Sequence, residues 1–261
     1  MANKAGKGRK IAAALGVAVF WLLIWQLLAL LVGREVVLSP PLTVFKTLGE
    51  MVQEGRFWLA LGASLLRILA GFALGVFLGS ALGLLTAFCR PLRVLFSPFM
   101  SVVKATPVAS FIILLLFFMG NQWIPVLIAA LMVMPIIWAG VMKGIEETDR
   151  GLLEMGRVFE LGWGWQLRHI YGPSVKAFFR PAALTALGLS WKAGIAAEVL
   201  AAPEHSLGGM LYRAKIYLEN PRMLALTLCV IFISMGLELL LKKLLQGSGG
   251  QEASLSSGGA K

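Results

Sequence analysis

The side chains from which catalytic or metal centres are usually assembled are scarce in this sequence of 261 residues, which holds two His, two Cys and 13 Asp plus Glu. His169 and His205 fall in separate polar segments, and Cys89 and Cys229 lie far apart in or beside apolar runs. Neither pair has the spacing of a zinc site or a disulfide framework. Glu146, Glu147 and Asp149 form a small acidic group with no second cluster at metal spacing, and solvated charge accounts for them. No glycine-rich phosphate loop closes on Lys and Ser/Thr, so ATP hydrolysis is not expected on this chain. What remains is charge inside apolar runs. A cation at the bilayer centre costs about 3 kcal/mol on insertion scales, so Lys192 must face protein or water. It is either a pathway residue favouring an anion or a partner of neighbouring helices. Glu198 lies six positions on, about 120° round an ideal helix, and is not automatically that partner. Trp191 and Glu198, seven apart, share a face. Arg67 is nearer the end of its run, where snorkelling is the favoured reading over a pathway role.

Hydropathy sets the elements that carry these groups. Hydrophobic residues make up 58% of the chain, charged residues 14%, and mean hydropathy is +0.82, whereas a soluble domain carries roughly a quarter charged residues. A soluble enzyme is excluded as the default, and disorder more firmly. A crossing helix needs about 20 apolar residues for roughly 30 Å of hydrocarbon. Such runs are expected at about 11–32, 58–88, 102–119, 123–142, 181–201 and 223–241, making one transmembrane domain over 11–245. A basic amino end at 1–10 precedes it, and a Gly- and Ser-rich tail at 246–261, expected to be flexible, follows. The first run lacks the short core and cleavage site of a signal peptide. Before the third, Pro98, Lys104 and Pro107 predict an interfacial or kinked segment. Gly71, Gly75, Gly79 and Gly83 form a stripe suited to close helix packing rather than to a pathway.

Most of the 24 Lys and Arg fall at the two ends, near 90–104 and within 143–180. Arg34, Lys46, Arg56, Arg213, Lys215 and Arg222 fall on the opposite side, so the bias puts both termini in the cytoplasm. The basic excess is thereby a matter of topology and leaves little need for nucleic acid. Ser206, Gly208 and Gly209, ahead of Tyr212, Arg213 and Lys215, read as a turn before an interfacial helix or as a segment near a docking protein.

The polar stretch 143–180 is long for a connection. Leu152, Leu153, Met155, Val158, Phe159 and Leu161 interleave with Glu154, Arg157 and Glu160 at helical spacing. Gly162 and Gly164 are expected to end or bend that helix, residues 165–171 to add a turn or two, and Pro173 to stop it. A short amphipathic helix across the cytoplasmic face follows, serving as membrane anchor, connector or docking element.

The stretch resembles the EAA loop of binding-protein-dependent ABC importer permeases. Glu154 matches the loop's Glu, Gly156 stands at its second Ala, Arg157 follows, and Pro173 lies 19 positions beyond Glu154. Arg168, His169 and Ile170 also look like that group's stretch before the Pro. Met155 departs from the first Ala, Glu160 stands where Gly is usual with a glycine instead at Gly162, and Gly172 replaces Leu. LLRILAGFALGVFLGSALGLL (65–85), RPLRVLFSPFMSVVKATPVASFIILLLFF (90–118) and SPPLTVFKTL (39–48) are similar to the nitrate, sulfonate, taurine and bicarbonate group, so the likeness covers about 36–241.

The resemblance implies an all-α membrane protein of the type I ABC importer permease fold (MetI-like) in a bacterial plasma membrane. It implies a homodimer, an extracytoplasmic solute-binding protein and a separate ATPase that uses ATP and Mg, with no cofactor bound by this chain. Glu154, Gly156, Arg157, Glu160, Gly162 and Pro173 would couple the ATPase to a pathway near Trp191, Lys192, Glu198 and Arg67. The expected cargo is a small solute, such as a sulfonate or nitrate anion. The alternative is a secondary transporter driven by an ion gradient. It calls for inverted repeats and shared intramembrane carboxylates, but there is no clear repeat, and only Glu198 and Glu238 lie in or near spans.

Overall fold

The structure is a computed structural model that describes the backbone of residues 2–247 and the side chains of 15–245. The side chains of the basic amino end, and the tail from residue 248, lie outside the described residues. Among those residues the chain is helical with no strand. In order come α1 (Ala2–Val32), α2 (Pro41–Gln53), α3 (Gly55–Phe88), α4 (Arg90–Ala105), α5 (Val108–Leu116) and α6 (Ile124–Glu146). Next are α7 (Arg150–Val158), α8 (Trp163–Gln166), a π turn (Leu167–Tyr171), α9 (Gly172–Ala201), α10 (Leu207–Ile216) and α11 (Asn220–Gly247). Among the described residues five helical runs are long and apolar enough to cross a membrane: α1, α3, α6, α8 through α9, and α11. The bent pair of α4 and α5 makes a sixth crossing when counted as one span.

The bend falls inside the third expected span, 102–119. α4 and α5 meet at 97°. Thr106, directly before Pro107, takes an extended conformation (φ −76°, ψ 129°), because the proline ring disfavours helical backbone in the preceding residue. Pro98 leaves α4 continuous, so Pro107 alone makes the break. Within the expected first loop lies α2, opened by Pro40 and Pro41 and burying Pro41, Val44 and Met51. A proline in the first turn gives up an N–H that has no helical acceptor anyway.

Two compact units divide the chain. In the first, residues 1–59 with 210–230, the Trp25 indole donates to the Ser39 carbonyl (3.1 Å) and Arg222 pairs with Glu54 (2.8 Å). Asn220 Nδ2 donates to the carbonyls of Val36 and Val37 (2.9 and 2.8 Å).

In the second unit, residues 60–209 with 231–261, α6 and α9 pair extensively. They run antiparallel: a Cβ on Gly140 would meet Ala182, and one on Gly144 would meet Val175. α3 lies along α6 in the same direction. Any Cβ on Gly71 would strike the Val126 carbonyl, on Gly75 Val133 (2.6 Å), on Gly79 the Met134 carbonyl (2.6 Å) and on Gly83 Val141 (2.8 Å). The four-residue spacing thus sets α3 backbone to backbone with α6, a contact that only small residues allow.

Candidate functional site

α9 carries charge on two different faces. Pro181, Thr185, Leu189, Lys192, Ala196 and Leu200 form an exposed row at the three- and four-residue spacing of one helix side. Lys192 is the row's only charge. Trp191 (1% exposed) and Glu198 (0%) lie on the buried side. Lys192 and Glu198 are therefore separate features, and Glu198 finds its partners on α3 and at the start of α10.

The Glu198 carboxylate is enclosed by donors. Ser64 Oγ donates to Oε2 (2.6 Å), the Gly208 N–H donates to the same oxygen (3.1 Å), and Arg67 Nη1 lies 3.4 Å from Oε1. Arg67 also donates to Gln122 Oε1 (2.6 Å) and to the carbonyls of Glu204 (2.8 Å) and His205 (3.2 Å). Its side chain is 15% exposed, so it is collared by the 202–206 connection instead of reaching free water.

The same cluster caps α10. Its first three N–H groups, which no helical carbonyl can satisfy, go to Ser64 Oγ from Leu207 (2.9 Å), to Glu198 from Gly208, and to Ser206 Oγ from Gly209 (3.0 Å). A Cβ on Gly208 would overlap Glu198 Cβ, so glycine is what lets α10 start directly against α9. A carboxylate so buried is tolerable only with this full set of partners. Ser64 and Gln122 escaped the sequence reading: a lone serine in an apolar run and a glutamine in a turn carry no local signal of a partner more than fifty residues away.

At the other end of α6 and α9 lies the segment expected to couple to an ATPase. The Asp149 carboxylate accepts from Gly151 N (2.7 Å) and caps α7. Glu154 and Arg157 are exposed, as are Leu152, Met155, Val158 and Phe159. Among the described residues neither Glu154 nor Arg157 makes an ion pair. Gly156 is buried, and a Cβ there would sit 3.2 Å from Ile170 Cδ1, which accounts for a small residue at that position.

The helix ends earlier than its glycines suggest. Glu160 takes φ +48°, with Glu160 N–H bonded to the Arg157 carbonyl (3.1 Å) and Leu161 N–H to that of Gly156 (2.9 Å). This is the Schellman termination, whose left-handed residue is usually glycine. Gly162 (φ −57°) instead precedes α8. Pro173 likewise does not stop a helix. It sits in the first turn of α9, and the chain passes into it through the π turn, with Gly172 N–H bonded to the Leu167 carbonyl. A proline there costs no bond that the preceding turn needs.

Among the described residues neither histidine belongs to a group of side chains that could hold a metal ion. His169 stacks on Trp165 (centroids 4.6 Å apart), and His205 lies in the 202–206 connection at φ +49°. Glu146 pairs with Arg93 (2.6 Å).

Several known proteins resemble this chain. It is 26% identical over 204 residues to the putative aliphatic sulfonates transport permease protein SsuC of Bacillus subtilis, covering 77% of this chain and 74% of that protein. It is 26% identical over 188 residues to the bicarbonate transport system permease protein CmpB of Synechococcus elongatus, covering 72% and 65%. The fold is similar to that of an inward-facing MetNI methionine ABC transporter chain, with a TM-score of 0.58 at 15% identity over 73% of this chain and 93% of that one. The ion-gradient alternative finds no support among these relatives. Residues 71–247, well over half of the chain, match the family described as the binding-protein-dependent transport system inner membrane component, and the protein therefore belongs to that family, as a multi-pass permease subunit of an ABC importer.

Proposed function

We propose that the chain forms, with a second copy of itself, the membrane pathway for a small anion handed over by an extracytoplasmic binding protein and driven by a separate ATPase subunit. Both termini and α7 then face the cytoplasm of a bacterial cell, in keeping with the bias of the basic residues. The relatives named for sulfonate and bicarbonate transport support an anionic cargo. So does Lys192, a lone charge on the exposed row of α9, which we assign to the pathway between the two copies. Trp191, Arg67 and Glu198 act behind that row, holding α9 in place.

The observation that carries the reading is α7. It leaves Leu152, Met155, Val158 and Phe159 exposed between two membrane helices, with Glu154 and Arg157 beside them. A short helix with apolar residues to fill a cleft and two uncompensated charges to set its register is built for a soluble partner. Gly156 fastens it against Ile170, Glu160 and Gly162 shape its exit, and Pro173 opens the helix that carries the motion onward. ATP and Mg act on the partner, and closure of two ATPase subunits would tilt α6 and α9 as rigid bodies.

The test is charge reversal at Glu154. Glu154→Lys is expected to accumulate in the membrane at normal levels while losing ATP-driven uptake or co-purification with the ATPase. Normal uptake together with normal assembly would remove α7 as the docking element.

A further inference from the structure

We propose that the start of α4 and the end of α3 form a binding site for the phosphate headgroup of an acidic phospholipid. A cavity of about 750 Å³ opens there, lined by the polar and basic side chains of Thr86, Arg90, Arg93 and Ser97 and by apolar Ala87, Phe88, Val94 and Pro98. Its size is that of a small-molecule pocket. Arginine presents a planar fork of donors that fits phosphate oxygens in pairs. Arg90 is exposed, and among the described residues no ion pair involves it. Arg93 is held in place by Glu146 at 2.6 Å, with both side chains about half exposed, so it keeps donors to spare.

The helix that carries the two arginines is amphipathic. Arg90, Arg93, Ser97, Ser101 and Lys104 follow one another at three- and four-residue steps down one side of α4, and Leu92, Leu95, Phe99 and Val102 do so down the opposite side. Leu95, Phe99 and Val102 are 66%, 47% and 60% exposed. α4 has 16 residues and meets α5 at 97°, and a helix start with a basic face beside an exposed apolar face suits the headgroup level. The level of the cavity agrees. Phe88 packs on Trp163 (ring centroids 5.0 Å apart) and Arg93 meets the end of α6, which places it at the end of the second unit that carries α7.

The apolar lining singles out a lipid. Val94 (70% exposed) and Pro98 continue round α4 into the row of Leu95, Phe99 and Val102. A phosphate bound by Arg90 and Arg93 would have glycerol and acyl carbons beside that surface, whereas a free phosphate would leave it bare.

Native mass spectrometry of the full chain, purified with its ATPase partner, tests the assignment with phosphatidylglycerol, phosphatidylcholine and inorganic phosphate as probes. Phosphatidylglycerol is expected to remain bound where phosphatidylcholine does not, and millimolar phosphate is expected not to displace it. In the doubly substituted Arg90→Gln, Arg93→Gln protein its retention should fall by roughly tenfold or more, as loss of charge-assisted hydrogen bonds implies. Glu146→Gln, which frees Arg93, should retain the lipid at least as well as the unaltered protein. Equal retention of the two lipids by the unaltered chain, displacement by free phosphate, or unchanged phosphatidylglycerol binding in the double variant would each overturn the proposal. The first two comparisons need no variant and decide the matter even if the substituted chain fails to assemble.

Discussion

Glu198 shows how one side chain organises its surroundings. Its carboxylate receives Ser64, Gly208 N–H and Arg67, and through them the starts of α10 and the 202–206 connection are tied to α3 and α9. Removing the carboxylate leaves those donors without their acceptor in a site that water does not reach, and breaking a buried pair from one side costs about 3 kcal/mol or more. Glu198→Ala is expected to lower the thermal midpoint of the detergent-purified protein by roughly 10 °C, and Ser64→Ala by less, since Gly208 and Arg67 still hold the carboxylate. An unchanged midpoint in Glu198→Ala would show that the cluster contributes little to holding the fold. Glu198 and Arg67 stand out in the sequence because charge is rare in apolar runs. Their pairing does not, because 131 positions separate them and no local periodicity reports on contacts of that range.

At the scale of elements, α7 and its exit were only partly legible. The interleaving of apolar and charged residues from 152 to 161 marks a helix, and Gly162 and Gly164 look like its stop. The backbone turns earlier, at Glu160, which carries the left-handed conformation instead. For a residue with a Cβ this conformation costs about 1–2 kcal/mol. Glu160→Gly is accordingly expected to stabilise the protein by about 1 kcal/mol, read as a rise of a few degrees in thermal midpoint, with α7 otherwise unchanged. A fall in midpoint would mean that the Glu160 side chain makes a compensating interaction. Pro173 misled for a related reason. A proline stops a helix only where its N–H is needed, and the π turn before α9 removes that need. The glycines of α3 were easier, since four at a constant spacing favour a face along which another backbone lies over a pathway.

For the whole molecule, family membership makes transport the function, and α9 supplies a test of the proposed anionic cargo. Lys192 lies on the exposed row while Glu198 lies behind it, so neutralising the two should have different consequences. Lys192→Gln is expected to leave the thermal midpoint unchanged and to reduce ATP-driven uptake of a sulfonate or bicarbonate at limiting concentration by roughly tenfold, the loss of about one charge-assisted contact. Lys192→Arg should keep most of it. Uptake by Lys192→Gln equal to that of the unaltered transporter would take this residue out of the pathway. Solute accumulation in liposomes by this chain without any ATPase would overturn the proposed division of labour between subunits.

Much about this protein was determined by its sequence alone, because a bilayer leaves a chain few choices. Backbone polar groups in hydrocarbon must be satisfied locally, so long apolar runs can only be helices, and the one long polar segment among them had to have work outside the membrane. On the EAA-like residues from Glu154 to Pro173 we propose that this work is docking of the ATPase. Tertiary structure decided what depends on distance in space rather than along the chain. It separated Lys192 on the exposed row from Glu198 in the buried cluster, set Gly208 against α9, and joined Ser64 to a helix that starts at Leu207. It also laid α4 at an angle to α5, with its two arginines beside a cavity. Those outcomes follow from which side of a helix a neighbour covers, and composition and periodicity leave that choice open.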